Sequence, residues 1–313
     1  MPETVVVLAP SPLITVTIED RADEPDIHVH AGGQGVWQAR MLQSLGVPVV
    51  LCAGLGGETG DVLADLIPGE GIELRAVRLR SRNGGYVHDR RSGDRTVVAE
   101  ARGGAQDRHE QDELYELALA AGLEHGRALL SGPNGDRVLP PAFYARLATD
   151  LRANGVSVAV DLSGERFAAA MEGRPDLVKI SHEELVDDGL SPSAEPTDLI
   201  AAMRRLRADG AGIIVVSRAA DPALALIGDE VVAVRVPPLQ TAEPKGAGDS
   251  MTAGMVAVLA RGGAPLDALR TGAACGALNV VHHGLGTGSA AAVAALADRV
   301  TITNCDDDGT ERP

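Results

Sequence analysis

Lysine is almost absent from this 313-residue chain: of 28 lysine and arginine side chains, only Lys179 and Lys245 are lysine. Where nearly every cation is arginine, those two positions stand out. Aromatic residues are as scarce, at 2%, so the core has to be built from Ala, Val and Leu. Positive charge is outweighed overall. The formal net charge of −16 argues against a nucleic-acid or anionic-membrane surface, yet leaves room for a local cluster around an anionic substrate. Cys52, Cys275 and Cys305 show no C-x-x-C spacing, which argues against a zinc site or disulfide framework and fits a reducing cytoplasm. No run of about 20 apolar residues suggests a membrane span. Residues 4–8 already read as a β-run behind an acid, so no signal peptide is expected. Gly-Lys-[Ser/Thr] does not occur, which excludes a Walker phosphate loop.

What remains is an ordinary globular composition, 45% hydrophobic and 23% charged, of a length that suits one large domain over 1–313. Short apolar runs at 47–52, 128–130, 156–161, 177–180 and 213–216 read as buried strands. Helical patterns alternate with them. Residues 141–154 start on a proline and carry Phe143, Leu147 and Leu151 on one face, while 197–209 start on a Thr cap. This alternation predicts an α/β fold, a doubly wound, mostly parallel sheet covered by helices. Two stretches break the rhythm, about 12–30 and 72–101, where extended segments follow one another without helices. A turn at 91–94 would join two of them. They predict a small β-sheet lid with one exposed face, to be covered by substrate or by a partner subunit. Residues 223–236 read as a hairpin, the chain beyond Ser250 as helical, and the acidic tail 305–313 as frayed.

Two glycine-rich segments need separating. Gly54-Leu55-Gly56-Gly57-Glu58-Thr59-Gly60 imitates a dinucleotide fingerprint, but its last glycine falls one residue late and no acid-ended strand follows. Pro244-Lys245-Gly246-Ala247-Gly248-Asp249-Ser250, followed by an apolar run, reads as a tight turn opening a buried helix. Unpartnered N–H groups and the helix dipole there attract phosphate, and Asp249 puts a carboxylate beside it. A carboxylate beside an anion cradle can move a phosphoryl group onto an alcohol. His28, His30, His282 and His283 have no convincing metal spacing.

Residues 245–254, KGAGDSMTAG, resemble the C-terminal signature of the PfkB (ribokinase-like) sugar kinases, and residues 31–40, AGGQGVWQAR, resemble the N-terminal one. Between them, Ser81-Arg82-Asn83, Asp161-Leu162-Ser163-Gly164-Glu165 and Lys179-Ile180-Ser181-His182-Glu183-Glu184-Leu185 are similar to segments of the 1-phosphofructokinase and tagatose-6-phosphate kinase branch. The resemblance implies an ATP- and Mg2+-dependent phosphotransferase acting on a hydroxyl of a sugar, sugar phosphate or related polyol. By the same resemblance Asp249 is the general base, with Gly246, Ala247 and Gly248 forming the anion turn. Lys179, Lys245, Ser217 and Asn279 would meet the nucleotide, Asn279 by facing the adenine. Glu184 would orient magnesium through water, with Ser181 where the family has Asn. Gly32, Gly33, Gln34, Trp37, Arg82 and Ser131 would line the acceptor site, Arg82 as a phosphate or lid contact.

Departures from the pattern gather on the acceptor side. Leu13 stands where relatives carry an Asp that grips sugar hydroxyls, and Gln34 and Trp37 replace a Lys and an Asn. Ser131-Gly132-Pro133-Asn134-Gly135 replaces Ser-Gly-Ser-x-Pro, and residues 217–222 replace the glycine-containing nucleotide loop. An unusual acceptor is therefore expected, in a cytoplasmic protein that pairs through its lid as a homodimer and contacts neither nucleic acid nor membrane. Two rival readings are a nucleoside kinase, with Trp37 as a stacking face, and a non-catalytic descendant that binds ligand or nucleotide.

Overall fold

The computed structural model describes residues 4–21, 24–93, 95–135, 137–240, 245–281 and 285–312. Asp94, Pro244, His282 and His283, named above, lie outside them. In chain order the first elements are β1 (Val5–Ala9), β2 (Leu13–Arg21), β3 (Glu24–Gly32), α1 (Gln34–Ser44), β4 (Val49–Gly56), α2 (Gly57–Gly69), β5 (Glu73–Leu79), β6 (Gly84–Asp89) and β7 (Thr96–Ala101). There follow α3 (Arg108–His125), β8 (Arg127–Ser131), α4 (Pro141–Ala153), β9 (Ser157–Asp161), α5 (Gly164–Ala170), β10 (Leu177–Ser181), α6 (His182–Asp187) and α7 (Pro196–Ala208). The last are β11 (Ile213–Arg218), β12 (Asp221–Ile227), β13 (Glu230–Arg235), α8 (Ala247–Ala260), α9 (Pro265–Val280), α10 (Ala290–Ala297) and β14 (Thr301–Cys305).

The large sheet runs β14-β13-β12-β11-β10-β9-β8-β1-β4-β5. From β11 to β5 every pairing is parallel, and β12, β13 and β14 add an antiparallel edge. Each central strand is apolar on both sides. In β1, Val6 and Leu8 join one hydrophobic layer while Val5, Val7 and Ala9 join the other. That is why these strands read as continuous apolar runs rather than alternating ones. Strand order reverses between β1 and β8, since the chain first builds outward to β4 and β5 and later through β8 to β11. Open α/β sheets bind ligands at such a switch point, beyond the carboxyl ends of the strands.

The lid is a separate four-stranded sheet, β3-β2-β6-β7. It draws on 12–30 as expected, but only on the later part of 72–101. Residues 73–79 form β5, which pairs in parallel with β4 from Val50↔Glu73 to Gly56↔Leu79. The intervening helix α2 makes a strand–helix–strand crossover, and that geometry commits β5 to the large sheet. Residues 223–236 do form a hairpin, β12–β13. The C-terminal region is not wholly helical, because β14 closes the sheet edge against β13. Nor is the tail frayed: Arg312 N–H donates to Asn304 O at 2.7 Å, Cys305 bridges Glu311, and Arg235 pairs with Glu311 at 2.6 Å. Helix α7 begins one residue before Thr197. Glu195 is its cap and Pro196 its first residue, a position for which proline's fixed φ is prepared. No helix among the described residues is long and apolar enough to cross a membrane.

Candidate active site

Helix α8 opens on Gly246 in the left-handed region (φ 77°), a conformation that glycine takes without strain. Asn279, from α9, holds this turn from below. Its amide donates to Lys245 O at 2.7 Å, and its oxygen accepts from Ser250 Oγ at 3.1 Å and from Gly286 N–H at 2.9 Å. Asn279 is fully buried and supports the anion turn.

Lys179 comes from β10 and reaches the turn. Its ammonium lies so close to Gly248 that a Cβ there would collide with it. Burial pulls the Lys179 ammonium down, but Asp161, Glu184 and Asp249 together hold it above the usual lysine range. Asp161, at the end of β9, is 3.5 Å from Lys179 Nζ and nearly inaccessible. It also accepts from Gln38 Nε2 at 2.9 Å and Thr252 Oγ1 at 2.7 Å, and Gln38 in turn accepts from Ser131 Oγ. The network therefore ties α1, β8, β9, β10 and α8 together. A buried ion pair tolerates its desolvation only with such supporting hydrogen bonds.

Asp249 is the third residue of α8 and half-buried. Burial, then the Asp161 charge, push its carboxyl up to about 7, against the opposing pull of Lys179 and of a hydrogen bond from Gln34. Gln34 is the first residue of α1, just after Gly33 at φ 101°. Its oxygen accepts from Gly132 N–H at 2.8 Å, which turns its amide nitrogen toward Asp249. Glu184 closes a reciprocal cap on α6. Its Oε2 accepts from Ser181 N–H and Ser181 Oγ, both at 2.8 Å.

Gly33, Gln34 and Trp37 line a cavity of about 440 Å³ between the large sheet and the lid, together with Leu13, Gly132, Pro133, Asn134, Tyr86, Arg95, Val97, Glu100 and Lys245. Several expectations change here. Lys245 turns toward the acceptor side, its ammonium 4.9 Å from the Tyr86 ring centre and 5.8 Å from that of Trp37. The same contact occupies Trp37, offered above as a nucleobase stacking face. Arg82 is exposed, packs beside Gly57 and does not line the cavity. Ser131 is fully buried and supports Gln38 instead of meeting the acceptor. Gly32 sits behind the cavity wall, where a Cβ would meet Thr15 Oγ1 at 2.5 Å. Ser217, next to last in β11, lies beside Ser181, its carbonyl 3.2 Å from His182 Nδ1. Residues 217–222 form no open loop; β11 turns directly into β12 through Ala219 at φ 50°.

Sequence reasoning missed Gln38, Thr252, Tyr86, Arg95 and Glu100. Gln38 lies four residues after Gln34 and so shares its helix face, a signal that was legible. Which face of a lid strand points inward was not, because the order of the small sheet decides it.

An anion-cradling helix start, a carboxylate with raised affinity for protons and a buried lysine meet at the switch point of a parallel sheet. Together they define a small-molecule phosphotransferase. The chain belongs to the pfkB family of carbohydrate kinases, which it matches over residues 11–292. It is 29% identical over 263 residues to the ATP-dependent 6-phosphofructokinase isozyme 2 of Escherichia coli K12, covering 81% of this chain and 82% of that one. To the 1-phosphofructokinase of Rhodobacter capsulatus it is 32% identical over 236 residues, covering 73% and 72%. In fold it resembles phosphofructokinase-2 from Escherichia coli in complex with potassium (TM-score 0.82, 24% identity, 94% and 98% covered). It also resembles a carbohydrate kinase from Agrobacterium tumefaciens (TM-score 0.73, 22% identity, 96% and 100% covered).

Proposed function

We propose that this carbohydrate kinase transfers the γ-phosphoryl group of ATP to a hydroxyl of a sugar or sugar phosphate, with Asp249 as general base. The observation that carries the reading is the Asp249 carboxylate, held near the cavity by Gln34 and raised to about 7. A base so poised takes a proton near neutral pH. The acceptor oxygen attacks the γ-phosphorus, the bond to the β-phosphate oxygen breaks, and ADP leaves with that electron pair. The acceptor proton passes to Asp249. Backbone N–H groups at Ala247, Gly248 and Asp249, with the Lys179 ammonium above Gly248, would hold the charge on the transferred group. The names of the curated relatives, phosphofructokinases throughout the set quoted above, support a sugar phosphate over a nucleoside as acceptor.

No group of three or more Asp, Glu, His or Cys side chains among the described residues is placed to hold a metal ion by itself, so Mg2+ would arrive with the nucleotide phosphates. Asp161, Asp249 and Glu184 act on a single buried lysine, and hard carboxylate oxygens beside nucleotide phosphates suit Mg2+. Glu184 would hold it, oriented by Ser181, and the ion would neutralise phosphate charge. Ser217, next to last in β11, remains the candidate nucleotide contact. Ile27, Val29 and Val98 are 63%, 45% and 60% exposed on the lid strands, which supports a homodimer formed lid to lid. Three free, buried cysteines accord with a cytoplasmic setting.

ADP release from MgATP, measured against neutral hexoses, hexose monophosphates and polyols, tests the reading. Turnover on at least one sugar-class acceptor is expected. ATP binding with no turnover on any of them would instead support a non-catalytic descendant.

A further inference from the structure

Asparagine followed by glycine occurs three times in the chain, at Asn83-Gly84, Asn134-Gly135 and Asn154-Gly155. Asparagine is among the thermolabile residues, and before glycine it is most exposed to attack from its own main chain. The glycine nitrogen reaches the asparagine Cγ without a side chain in the way. Reaction needs a carboxamide that can swing round and an N–H not committed to an acceptor. Those two conditions separate the three pairs. Asn83 is buried; its Oδ1 accepts from Gly56 N–H at 2.8 Å, and its Nδ2 donates to Pro12 O and Gly54 O, both at 2.9 Å. Asn154 is exposed, but it caps α4. Its Nδ2 donates to Asp150 O at 2.8 Å, and Gly155 N–H donates to Arg152 O at 3.1 Å. Asn134 is under neither restraint. It lies half-buried after β8 with its Nδ2 3.4 Å from Glu100 Oε1, and among the described residues no acceptor takes the Gly135 N–H.

The turn itself demands the reactive pair. Gly135 has φ 123°, a backbone region that side chains avoid, so glycine has to follow Asn134 here. Its carbonyl accepts from Arg166 Nη2 at 3.0 Å, which pins the far side of the turn. We propose that Asn134 is a site of spontaneous deamidation in the wall of the acceptor cavity, and that the acid it forms opposes Glu100 of the lid. The Gly135 nitrogen bonds to Asn134 Cγ and gives up its proton, the Cγ–Nδ2 bond breaks, and Nδ2 leaves as ammonia. Water then opens the cyclic imide at either carbonyl, giving aspartate or isoaspartate. One water is consumed and one ammonia released, with no oxidant. Asn134 and Glu100 both line the cavity, so a donor facing a carboxylate becomes a carboxylate facing a carboxylate. Like charges there push β7 away from the segment after β8, and isoaspartate also adds a carbon to the main chain. An acceptor carrying a phosphate would then bind less well. That consequence rests on the kinase reading, whereas the modification does not.

Trypsin cuts the three pairs into separate peptides, residues 83–90, 128–137 and 153–166, each with a single asparagine. The mass gained when an amide becomes an acid therefore reports each site alone. Folded wild type is held in warm, mildly alkaline buffer and sampled over time. Peptide 128–137 should gain mass at least about tenfold faster than the other two, a factor within reach of a single protecting hydrogen bond. In urea, where burial and capping are lost, the three rates should converge. Equal rates in the folded protein overturn the assignment, and so does faster change at Asn83 or Asn154. For the consequence, Asn134→Asp makes one product directly. It should raise KM for the acceptor about two- to fivefold, the scale of one partly solvated charge contact, and leave KM for ATP unchanged. Stored wild type should lose acceptor affinity in step with the mass gain, while Asn134→Ser keeps its own starting KM. A KM that stays fixed as the mass rises would overturn the consequence. If no acceptor is ever phosphorylated, the kinase reading fails while the peptide masses still decide the modification.

Discussion

The two halves of the site differ in how their polar groups are used. Around Asp161 the polar atoms satisfy one another: Gln38, Thr252, Lys179 and Ser131 form a buried network across five elements. Under the lid, rings and cations line an open cavity, and Leu13 and Trp37 add apolar surface. The first half is built for geometry, since a network of this kind has few other arrangements. The second is built for selection, because a ligand completes it. Phosphoryl transfer needs the first to be rigid, whereas a change of acceptor needs only the second to be rebuilt.

Substitutions can break that contrast. The largest effect is expected at Asp249. Asp249→Asn keeps the shape and removes the base, and should lower kcat by about 10²- to 10⁴-fold while leaving KM for ATP nearly unchanged. Steady-state ADP release checks both. Next comes the buried ion pair: Asp161→Leu strands Lys179 and should destabilise the fold by about 3–5 kcal/mol, read by urea denaturation. A loss of less than about 1 kcal/mol would mean that the network is looser than its hydrogen bonds suggest. Asn279→Ala should cost about 1–3 kcal/mol by leaving Ser250, Gly286 and the Lys245 carbonyl without their partner. It should also lower kcat, since the anion turn loses its support.

A smaller effect sharpens the same contrast through stability. Asp249 binds its proton more tightly folded than unfolded, because burial and Asp161 raise its pKa to about 7 from an ordinary 3.8. Its contribution to folding is therefore fully present below about pH 4 and lost as pH rises to about 7. Asp249→Asn escapes that loss. Its melting temperature relative to wild type should climb between those values and level off above them, as a pH series of thermal melts would reveal. An active-site acid that costs stability in its working, ionised form is a familiar trade of stability for function.

Much of the large sheet was legible because its strands are buried on both faces and its helices carry ordinary start signals, such as Pro141. β5 was not, since an edge strand carrying Glu73, Arg75 and Arg78 looks like a lid strand until its crossover is seen. β14 was hidden behind an Ala-rich helical pattern. Within the site, Asp249 and the glycine turn could be read from the order of residues, because a helix N-terminus is a local structure, whereas Lys179, on β10, came through the family resemblance. Lys245 could not. Its position beside the turn suggested phosphate, but its four-carbon stem turns toward Tyr86 of the lid, and no local rule contains that contact. The contacts of Asn279 were hidden in the same way: a polar residue in an Ala/Gly helix announces a partner without saying which.

Gln34 links the two halves, lining the cavity while hydrogen bonding to Asp249. The most direct test is therefore the pH dependence of kcat/KM in the free enzyme. Wild type should lose activity below an acid limb near pH 7. That limb should move up in Gln34→Leu, which removes a donor to the carboxylate, and down in Asp161→Asn, which removes a neighbouring charge. A flat profile between about pH 5.5 and 8.5, or the same limb surviving in Asp249→Asn, would contradict the assignment of Asp249 as the base.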